Sequence, residues 1–278
     1  MGRQNYLRKI IYTLNLKKMK EKESLRFRKQ EILPFMGKDG MRKIKASTVV
    51  VIGLGGGGCS ASLQLATANV GRLVLCDFDT VGESNLGRQF LHSHSTLGID
   101  KVISAKIALR KINPFIEIET ISKPISNQIL EDLYSRYKDL SIFVAVDKFE
   151  AHYMINNFCI NHNIPAVHIA QLGYKGFVYT YIPGISVSTI KNAISVGFDK
   201  NVNEGKFDTE EQDLPYFAPI ISIVCATAIV ELIKVMVGVS NKKTLANTFL
   251  IYRAIEHEDI FEKEQVNKPF FEEIKLNH

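Results

Sequence analysis

A glycine-rich loop between two apolar strands constrains the fold of this chain more than any other feature. The apolar run at 49–52 predicts a buried strand, and Gly53, Gly55 and Gly58 follow it with the spacing G-x-G-x-x-G. A helix of small residues and a second strand that ends at Asp77 come next. In such a βαβ unit, nucleotide phosphates lie at the start of the helix and the acidic residue contacts the ribose. The sequence therefore predicts a nucleotide-binding α/β domain.

Predicted strands and helices alternate from residue 47 to residue 170. This alternation requires right-handed crossovers and a mainly parallel sheet covered by helices on both faces. Two further strands then predict an antiparallel C-terminal extension, so the expected fold is doubly wound, Rossmann-like α/β. The predicted strands are 47–53, 72–76, 117–122, 141–146, 166–170, 177–182 and 248–252, and the predicted helices are 23–35, 57–69, 101–112, 127–137, 150–161 and 219–238.

The chain divides into four segments on this reading. They are a basic N-terminal arm and helix at 1–45, a nucleotide-binding domain at 46–182, a flexible crossover or lid loop at 183–215, and a long core helix with antiparallel strands at 216–278 that completes the same domain. The first segment holds 14 Lys and Arg against 4 Asp and Glu, an excess of +10, while the rest of the chain holds 21 against 25, so the basic character of the chain, +6 overall, belongs to this segment. A solvated arm and an arm that meets nucleotide phosphates or an acidic peptide both remain open. Nucleic acid is not expected as a partner, because no basic stripe interleaved with aromatic residues continues beyond it.

The apolar stretch at 219–238 is long enough to span a membrane. Glu231 and Lys234 lie inside it and would be costly in hydrocarbon, whereas Pro219 and Gly238 suit the start and the end of a helix. A buried core or dimer helix is therefore expected, with no membrane partner. The start of the chain does not resemble a signal peptide, and the four cysteines show no disulfide or zinc spacing, so the expected location is the reduced cytoplasm.

Three carboxylates follow predicted strands at the edge of the sheet where ligands bind. Asp77 and Asp79 come after the second strand, and Asp147 comes after the fourth. Asp77 suits a ribose hydroxyl, although an Asp that caps a turn is the alternative. Asp147 suits Mg²⁺ beside phosphate oxygens, and its alternative is the N-cap of the following helix.

Two cations and two amides complete the predicted site. Arg88 offers a planar fork and Lys101 a point charge to phosphate oxygens, while Asn85 and Gln89 add hydrogen bonds without charge. Lys101 opposes the dipole of its own helix, which favours a functional role over a solvated lysine. The sequence has no Ser-His-Asp nucleophile elbow and no Walker lysine, and the lid segment has no cysteine. His92, His94, His162 and His168 show no metal-ligand spacing and are read as ordinary.

At these residues the chain resembles the ThiF/MoeB/HesA group, the bacterial relatives of ubiquitin-activating enzymes. The resemblance covers roughly 25–238 and rests on LRFRKQEIL at 25–33, GLGGGG at 53–58, the specific block DFDTVGESNLGRQ at 77–89, Lys101 and Asp147. It implies an ATP-dependent adenylyltransferase that joins AMP to a carboxylate, releases pyrophosphate and works as a homodimer.

The resemblance also assigns roles to individual residues. It implies that Asn85, Arg88, Gln89 and Lys101 hold the phosphates and that Asp147 binds Mg²⁺. Arg26 and Lys29 stand in a motif whose arginine reaches the ATP site of the partner subunit in relatives. The implied nucleotide-binding residues on the glycine loop and beyond the second strand are Gly53, Gly55, Gly56, Gly58, Asp77 and Asp79.

Several positions depart from the family pattern. Lys29 replaces the arginine of the N-terminal motif, and Lys148 and His152 replace the asparagine and the arginine that follow the metal-binding Asp. The two cysteine pairs that bind zinc in many relatives are missing, as is the thiol that some relatives use in transfer, so no structural zinc is expected. The shortened, rewritten lid favours a branch similar to the microcin- and pantocin-type peptide-modifying enzymes of antibiotic biosynthesis.

Three alternatives stay open. The first is a sulfur-carrier protein adenylyltransferase of the molybdopterin or thiamine type. The second is an NAD(P)-binding oxidoreductase, which would share the glycine loop but would not explain Arg88, Lys101 and Asp147 together. The third is a catalytically inactive partner subunit, which would bind ATP weakly.

Overall fold

The structure is a computed structural model, and it describes residues 18–19, 21–173, 175–186, 190, 216–240, 243–254 and 270–275. The N-terminal arm up to residue 17 lies outside the described residues. The lid segment at 183–215 also lies outside them, apart from 183–186 and 190.

A single mixed sheet organises the described residues. It has eight strands in the order β3-β2-β1-β4-β5-β6-β7-β8. The pairs β3·β2, β2·β1, β1·β4 and β4·β5 are parallel, and the pairs from β5 to β8 are antiparallel. The predicted doubly wound sheet with an antiparallel extension is confirmed. The strands are β1 Thr48–Ile52, β2 Arg72–Cys76, β3 Glu117–Ile121, β4 Leu140–Val144, β5 Ala166–Leu172, β6 Lys175–Tyr181, β7 Thr248–Arg253 and β8 Phe270–Lys275.

Helices cover both faces of this sheet and divide the core in two. The main α-helices are α1 at 21–31, α2 Gly37–Ala46, α3 Gly56–Thr67, α4 Lys101–Ile112, α5 Asn127–Arg136, α6 Phe149–His162 and α7 Ala218–Val237. One apolar cluster joins α2, α3, α4 and α7 to the sheet, and the other joins α5 and α6 to its opposite face.

The predicted N-terminal helix at 23–35 is wrong at its C-terminal end. The helix stops at residue 31 because Pro34 has no N–H and the residue before a proline avoids the helical region. Gly37 then adopts φ +54° and the chain starts a second helix, α2, which the sequence analysis missed. The short amphipathic pattern of α2, with Gly40, Met41 and Ile44 buried, was hidden among charged residues.

The predicted core helix at 219–238 corresponds to α7. By length and composition α7 could span a membrane, but half of its most apolar window is buried inside the protein. Its buried Glu231 accepts a hydrogen bond from the main-chain N–H of Leu245 at 2.7 Å and pairs with Lys234. Gly238 closes the helix in the left-handed region. Both charges therefore serve contacts within a core helix.

The parallel strands bring three chain segments to one edge of the sheet. The main-chain N–H of Gly53, just after β1, bonds the carbonyl of Cys76 at the end of β2 at 2.8 Å. The N–H of Ala145, just after β4, bonds the carbonyl of Ile52 at 2.9 Å. Strands β2 and β4 flank β1 on opposite sides, so the switch in strand order falls at the glycine loop, where open α/β sheets bind ligands.

Candidate nucleotide-binding site

The glycine loop makes main-chain contacts that only glycine permits. Gly53 has φ +87°, and a Cβ there would lie 2.3 Å from the carbonyl oxygen of Ala145. A Cβ on Gly58 would lie 1.7 Å from the carbonyl oxygen of Gly53. These two glycines let the loop fold tightly against β4 and against itself, which sets the position of the helix that follows.

Gly55 faces the open side of the loop. A Cβ on Gly55 would meet no protein atom within 4 Å, so the protein itself does not require a glycine there. Helix α3 begins at Gly56 without a side-chain cap, and the first N–H groups of a helix lack acceptors in the preceding turn. Open space above uncapped N–H groups at a helix N-terminus fits a phosphate group.

Asp77 braces this loop. Its Oδ2 accepts a hydrogen bond from the main-chain N–H of Leu54 at 2.5 Å, and its Oδ1 accepts one from the N–H of Asp79 at 2.8 Å. The second contact is the turn-capping role given as the alternative. Each carboxylate oxygen has a further lone pair, so these contacts leave Asp77 able to accept a ribose hydroxyl.

Lys101 and Asp79 form an ion pair at the start of α4. The Nζ of Lys101 lies 2.8 Å from Oδ2 of Asp79, and only 8% of the lysine side chain is exposed against 49% of the aspartate. The main-chain N–H of Lys101 also bonds the carbonyl of Asp79 at 2.9 Å. Asp79 thus offsets the unfavourable placement of a cation at a helix N-terminus and holds the ammonium group in the site.

Arg88 lies over the glycine loop together with an aromatic residue that the sequence analysis did not place in the site. Its guanidinium carbon is 5.3 Å from the ring centre of Tyr216, and its NH1 donates to the carbonyl of Ser84 at 2.7 Å. A Cβ on Gly56 would lie 3.3 Å from both the carbonyl of Arg88 and Cε1 of Tyr216. Burial raises the pKa of Tyr216, and the charge of Asp147 raises it further. An aromatic pair directly before the long apolar helix was the sequence signal for Tyr216.

The two predicted amides differ in what they bind. Asn85 accepts a hydrogen bond from the main-chain N–H of Gly82 at 2.9 Å through its Oδ1, so this oxygen shapes its own turn. Gln89 is 3% exposed, and its buried Oε1 has no hydrogen-bond partner among the described residues. A buried amide oxygen without a hydrogen-bond donor costs free energy. Of the two amides, Gln89 is therefore the one whose oxygen is placed to accept a hydrogen bond from a bound ligand.

The pKa of Asp147 is affected by the other charged residues of the site. Its side chain is exposed, yet the surrounding protein removes part of its hydration and raises its pKa. Lys101 and Arg88 act in the opposite direction and lower that pKa, while Asp77 and Asp79 raise it. Helix α6 takes Lys148 as its N-cap and has no side-chain cap, so the alternative role of Asp147 as N-cap is wrong.

Arg26 and Lys29 lie away from these groups within one chain. Arg26 donates to the carbonyl of Ile112 and lies over the ring of Phe115, both beyond or at the C-terminal end of α4. Gln30, on the same helix α1, donates to the carbonyl of Thr67 at the C-terminal end of α3 at 2.6 Å. Helix α3 has 12 residues, about 18 Å at 1.5 Å per residue, and its other end is the glycine loop. The structure therefore does not bring α1 to the site of its own chain.

His92, for which the sequence predicts no metal-binding role, is buried and connects three parts of the site. The Nδ1 of His92 lies 2.9 Å from the hydroxyl of Ser104 on α4, and its Nε2 lies 3.3 Å from the carbonyl of Leu54 in the glycine loop. Burial lowers the pKa of His92, so it acts as a neutral hydrogen-bonding group. His92 ties the segment that carries Arg88 to the glycine loop and to the helix that carries Lys101.

The four cysteines are free and buried. Burial raises the pKa of each thiol to about 12, which leaves almost no thiolate at neutral pH. No group of three or more His, Cys, Asp or Glu suited to a metal ion is found within the described part of the chain.

Comparisons with known proteins point to one family. The profile of the ThiF family matches residues 27–271. The molybdopterin-synthase adenylyltransferase of Haemophilus influenzae is 37% identical over 219 residues, which cover 78% of this chain and 86% of that protein. The Escherichia coli enzyme of the same name is 35% identical over 222 residues, covering 79% of this chain and 85% of that protein.

Two solved structures share the fold. The crystal structure of Escherichia coli MccB with ATP has a TM-score of 0.66 at 22% identity and covers 86% of this chain, which spans 67% of the MccB chain. The crystal structure of PaaA has a TM-score of 0.68 at 23% identity, with 91% of this chain and 74% of that chain covered.

Proposed function

The chain belongs to the ThiF family and is an adenylyltransferase, and from this premise we propose that it transfers AMP from ATP to a carboxylate of a peptide or small protein. The observation that carries the proposal is that two cations, Lys101 held by Asp79 at the start of α4 and Arg88 held over Tyr216, flank the glycine loop and both lower the pKa of the exposed Asp147 carboxyl. A dehydrogenase site has no use for two cations and a solvent-facing carboxylate in this place.

The reaction needs positioning and charge stabilisation more than proton transfer. A carboxylate oxygen attacks the α-phosphorus, a new P–O bond forms, and the bond to the departing pyrophosphate breaks. The carboxylate is already ionised at neutral pH, so no general base is required. Arg88, Lys101 and the uncapped N–H groups of α3 would counter the charge on the α-phosphate and on the leaving group.

Asp147 is the residue that we assign to Mg²⁺. A hard carboxylate open to solvent, beside two cations that would contact phosphates, suits this ion. When bound, Mg²⁺ would supply further positive charge to the phosphate oxygens. Asp79 is less suited to this role because its carboxylate pairs with Lys101.

Arg26 and Lys29 would act on the site of a second copy of the chain. Because α1 lies at the far ends of α3 and α4, these residues could complete a site only by reaching that of a partner subunit. We therefore propose a homodimer in which each N-terminal helix serves the other subunit. The proposed location is the cytoplasm.

Two classes of acceptor are compatible with this chemistry. The relatives at 35–37% identity are named for molybdopterin synthase, which supports a sulfur-carrier protein as acceptor. The absence of the zinc-binding cysteine pairs supports a peptide acceptor, as in ribosomal natural-product tailoring. Neither class is the better supported.

Exchange of labelled pyrophosphate into ATP tests the activity and the acceptor together. The purified protein is assayed with a sulfur-carrier protein and, separately, with short peptides encoded beside its gene. We expect exchange with one class only, and mass spectrometry of the product identifies the activated carboxylate. NADH binding without ATP binding would refute the proposal.

The same assay tests the site. Arg88→Ala should lower the exchange rate roughly 10²- to 10³-fold, the usual effect of removing one group that stabilises transition-state charge. Arg110→Ala, at an exposed position of α4, is the matched control. Equal rates in the two variants would refute the role of Arg88.

A further inference from the structure

Two histidines are buried side by side behind the loop that carries Asp147. His152 on α6 is 4% exposed and His168 on β5 is 2% exposed. Their Nδ1 atoms lie 3.1 Å apart. The Nε2 of His152 lies 2.9 Å from the carbonyl oxygen of Val146, the residue directly before Asp147. The pair therefore reaches the main chain of the site from the protein interior.

The hydrogen-bond partners determine which nitrogen of each ring carries the proton. A carbonyl oxygen only accepts, so His152 must hold its proton on Nε2 and donate it to Val146. The Nδ1 of His152 is then a lone pair, and the short contact requires a proton on Nδ1 of His168. The Nε2 of His168 becomes an acceptor, and it has no partner among the described residues.

Burial keeps both rings neutral, as this arrangement requires. It lowers the pKa of His152 to about 4 and the pKa of His168 well below its ordinary value. The second ring faces a cavity of about 20 Å³ with aromatic walls. Its lining includes Phe149, Phe177, Tyr179 and Phe249.

Val146 is the point at which this pair can act on Asp147. Up to Ala145 the chain is held by β1, because the N–H of Ala145 bonds the carbonyl of Ile52 at 2.9 Å. From Phe149 onward it is held by α6, which starts without a side-chain cap. Asp147 lies in the short link between these anchors, and His152 fixes the carbonyl of Val146 within that link.

We propose that His152 is a positioning residue that holds the main chain at Val146 so that the Asp147 carboxylate faces the nucleotide, and that His168 fixes the tautomer and orientation of His152. The inference rests on the proposed function, in which Asp147 binds Mg²⁺. Groups that orient a metal ligand in this way typically change metal affinity 10- to 100-fold when they are removed.

Calorimetric titration with a non-hydrolysable ATP analogue tests this proposal. The affinity is measured with Mg²⁺ and with EDTA, and the ratio of the two dissociation constants reports the metal alone. We expect His152→Leu to reduce this ratio about tenfold while the affinity in EDTA stays unchanged. His152→Gln, whose amide can still donate to Val146, should keep most of the wild-type ratio. His162→Leu on the same helix is the matched control, because His162 contacts Phe158 and Glu131 instead of the link.

The outcomes separate this inference from the proposed function. A wild-type protein that binds the analogue without any dependence on Mg²⁺ would remove the metal assignment of Asp147 and the inference with it. A wild-type dependence that survives in His152→Leu would refute the positioning role and leave the assignment intact. Equal losses in the Leu and Gln variants would also refute it.

The proton placement can be tested in the unmodified protein, so this test does not require any variant to fold. Long-range ¹H–¹⁵N spectra of histidine-labelled protein distinguish the two tautomers of each ring. We expect the Nε2–H form for His152 and the Nδ1–H form for His168, with neither ring titrating between about pH 5 and 8, where unperturbed histidines change charge. The opposite tautomers, or titration in this range, would overturn the proposal.

Discussion

The Asp147 carboxylate lies where its negative charge is unfavourable. The surrounding protein removes part of its hydration, which raises its pKa above the ordinary 3.8 more than Lys101 and Arg88 lower it. Between the ordinary and the raised pKa, the folded protein binds more protons than the unfolded chain, so stability falls as pH rises through this window. The penalty is complete at neutral pH, where the enzyme needs the charge for its substrate.

Asp147→Asn separates stability from activity. The variant has no charge to desolvate, so at pH 7 it should melt at the same temperature as the wild type or higher. The difference should shrink as the pH falls through the raised pKa of Asp147 and vanish below about 4, where the carboxyl is protonated in the folded and in the unfolded chain. The variant should show no pyrophosphate exchange at any pH between 4 and 7. Calorimetric melting temperatures at pH 4 and pH 7 check the sign, and a destabilised variant at pH 7 would contradict it.

Two glycines of the loop should respond oppositely to alanine. Gly53→Ala places a Cβ 2.3 Å from the carbonyl of Ala145 at φ +87°, which should cost about 3 kcal/mol or more of unfolding free energy. Gly55→Ala meets no protein atom, so it should fold normally and weaken ATP binding instead. Urea titration and ATP titration of both variants provide the measurements. Normal ATP affinity in a folded Gly55→Ala protein would show that the nucleotide does not use this space.

At the level of elements, segments with clear start and stop signals were predictable and segments without them were not. Strand β2 and helix α4 have the bounds that the sequence indicated, because Gly71 and Asp77 bracket the strand and Asn113 and Pro114 end the helix. Helix α2 and strand β8 were missed. Each depends on packing or pairing with a distant part of the chain that the local pattern does not reveal.

The site residues also divide into those that the sequence predicted and those that it did not. The residues that follow parallel strands meet at one edge of the sheet, and they were predictable because the alternation of strands and helices reveals the direction of the strands. Tyr216 and His152 were not predicted as site residues, since an aromatic ring before an apolar helix and a buried histidine look like core residues in sequence. Their roles depend on which loop the fold brings against them.

Helix α7 carries a buried anion that ties it to the loop before β7. Glu231 is 3% exposed and holds the loop before β7 through the N–H of Leu245. Glu231→Leu should lower the free energy of unfolding by about 3 kcal/mol, because the N–H of Leu245 loses its acceptor and the ammonium of Lys234 loses its carboxylate partner and keeps only the carbonyl of Lys243. Val230→Leu, at an exposed position one residue earlier, is the control, and urea titration compares them. Equal stability of the two variants would show that the buried charge is dispensable.

At the level of the whole molecule, the position of α1 makes one chain an incomplete enzyme under the proposed function. This helix and the turn after it expose Leu25 and Ile32, each 73% accessible, and the helix touches the ends of α3 and α4 opposite to the site. If Lys29 serves the partner subunit, two inactive chains should complement one another.

Mixing Lys29→Ala with Asp147→Asn provides that test. Equal amounts that exchange subunits give half mixed dimers with one intact site each, so roughly a quarter of the wild-type activity should return. Each variant alone should stay inactive, and mixing two batches of the same variant is the control. No recovery after verified subunit exchange would mean that Lys29 does not act across the dimer.

The buried thiols have a practical consequence. The four native thiols are inaccessible and protonated, so alkylating dyes should not react with the native protein. They belong to Cys59, Cys76, Cys159 and Cys225. A single cysteine introduced at an exposed position such as Lys111 would then be the one reactive handle on the chain. Fluorescent labelling could therefore be done in the wild-type background, without first replacing any native residue.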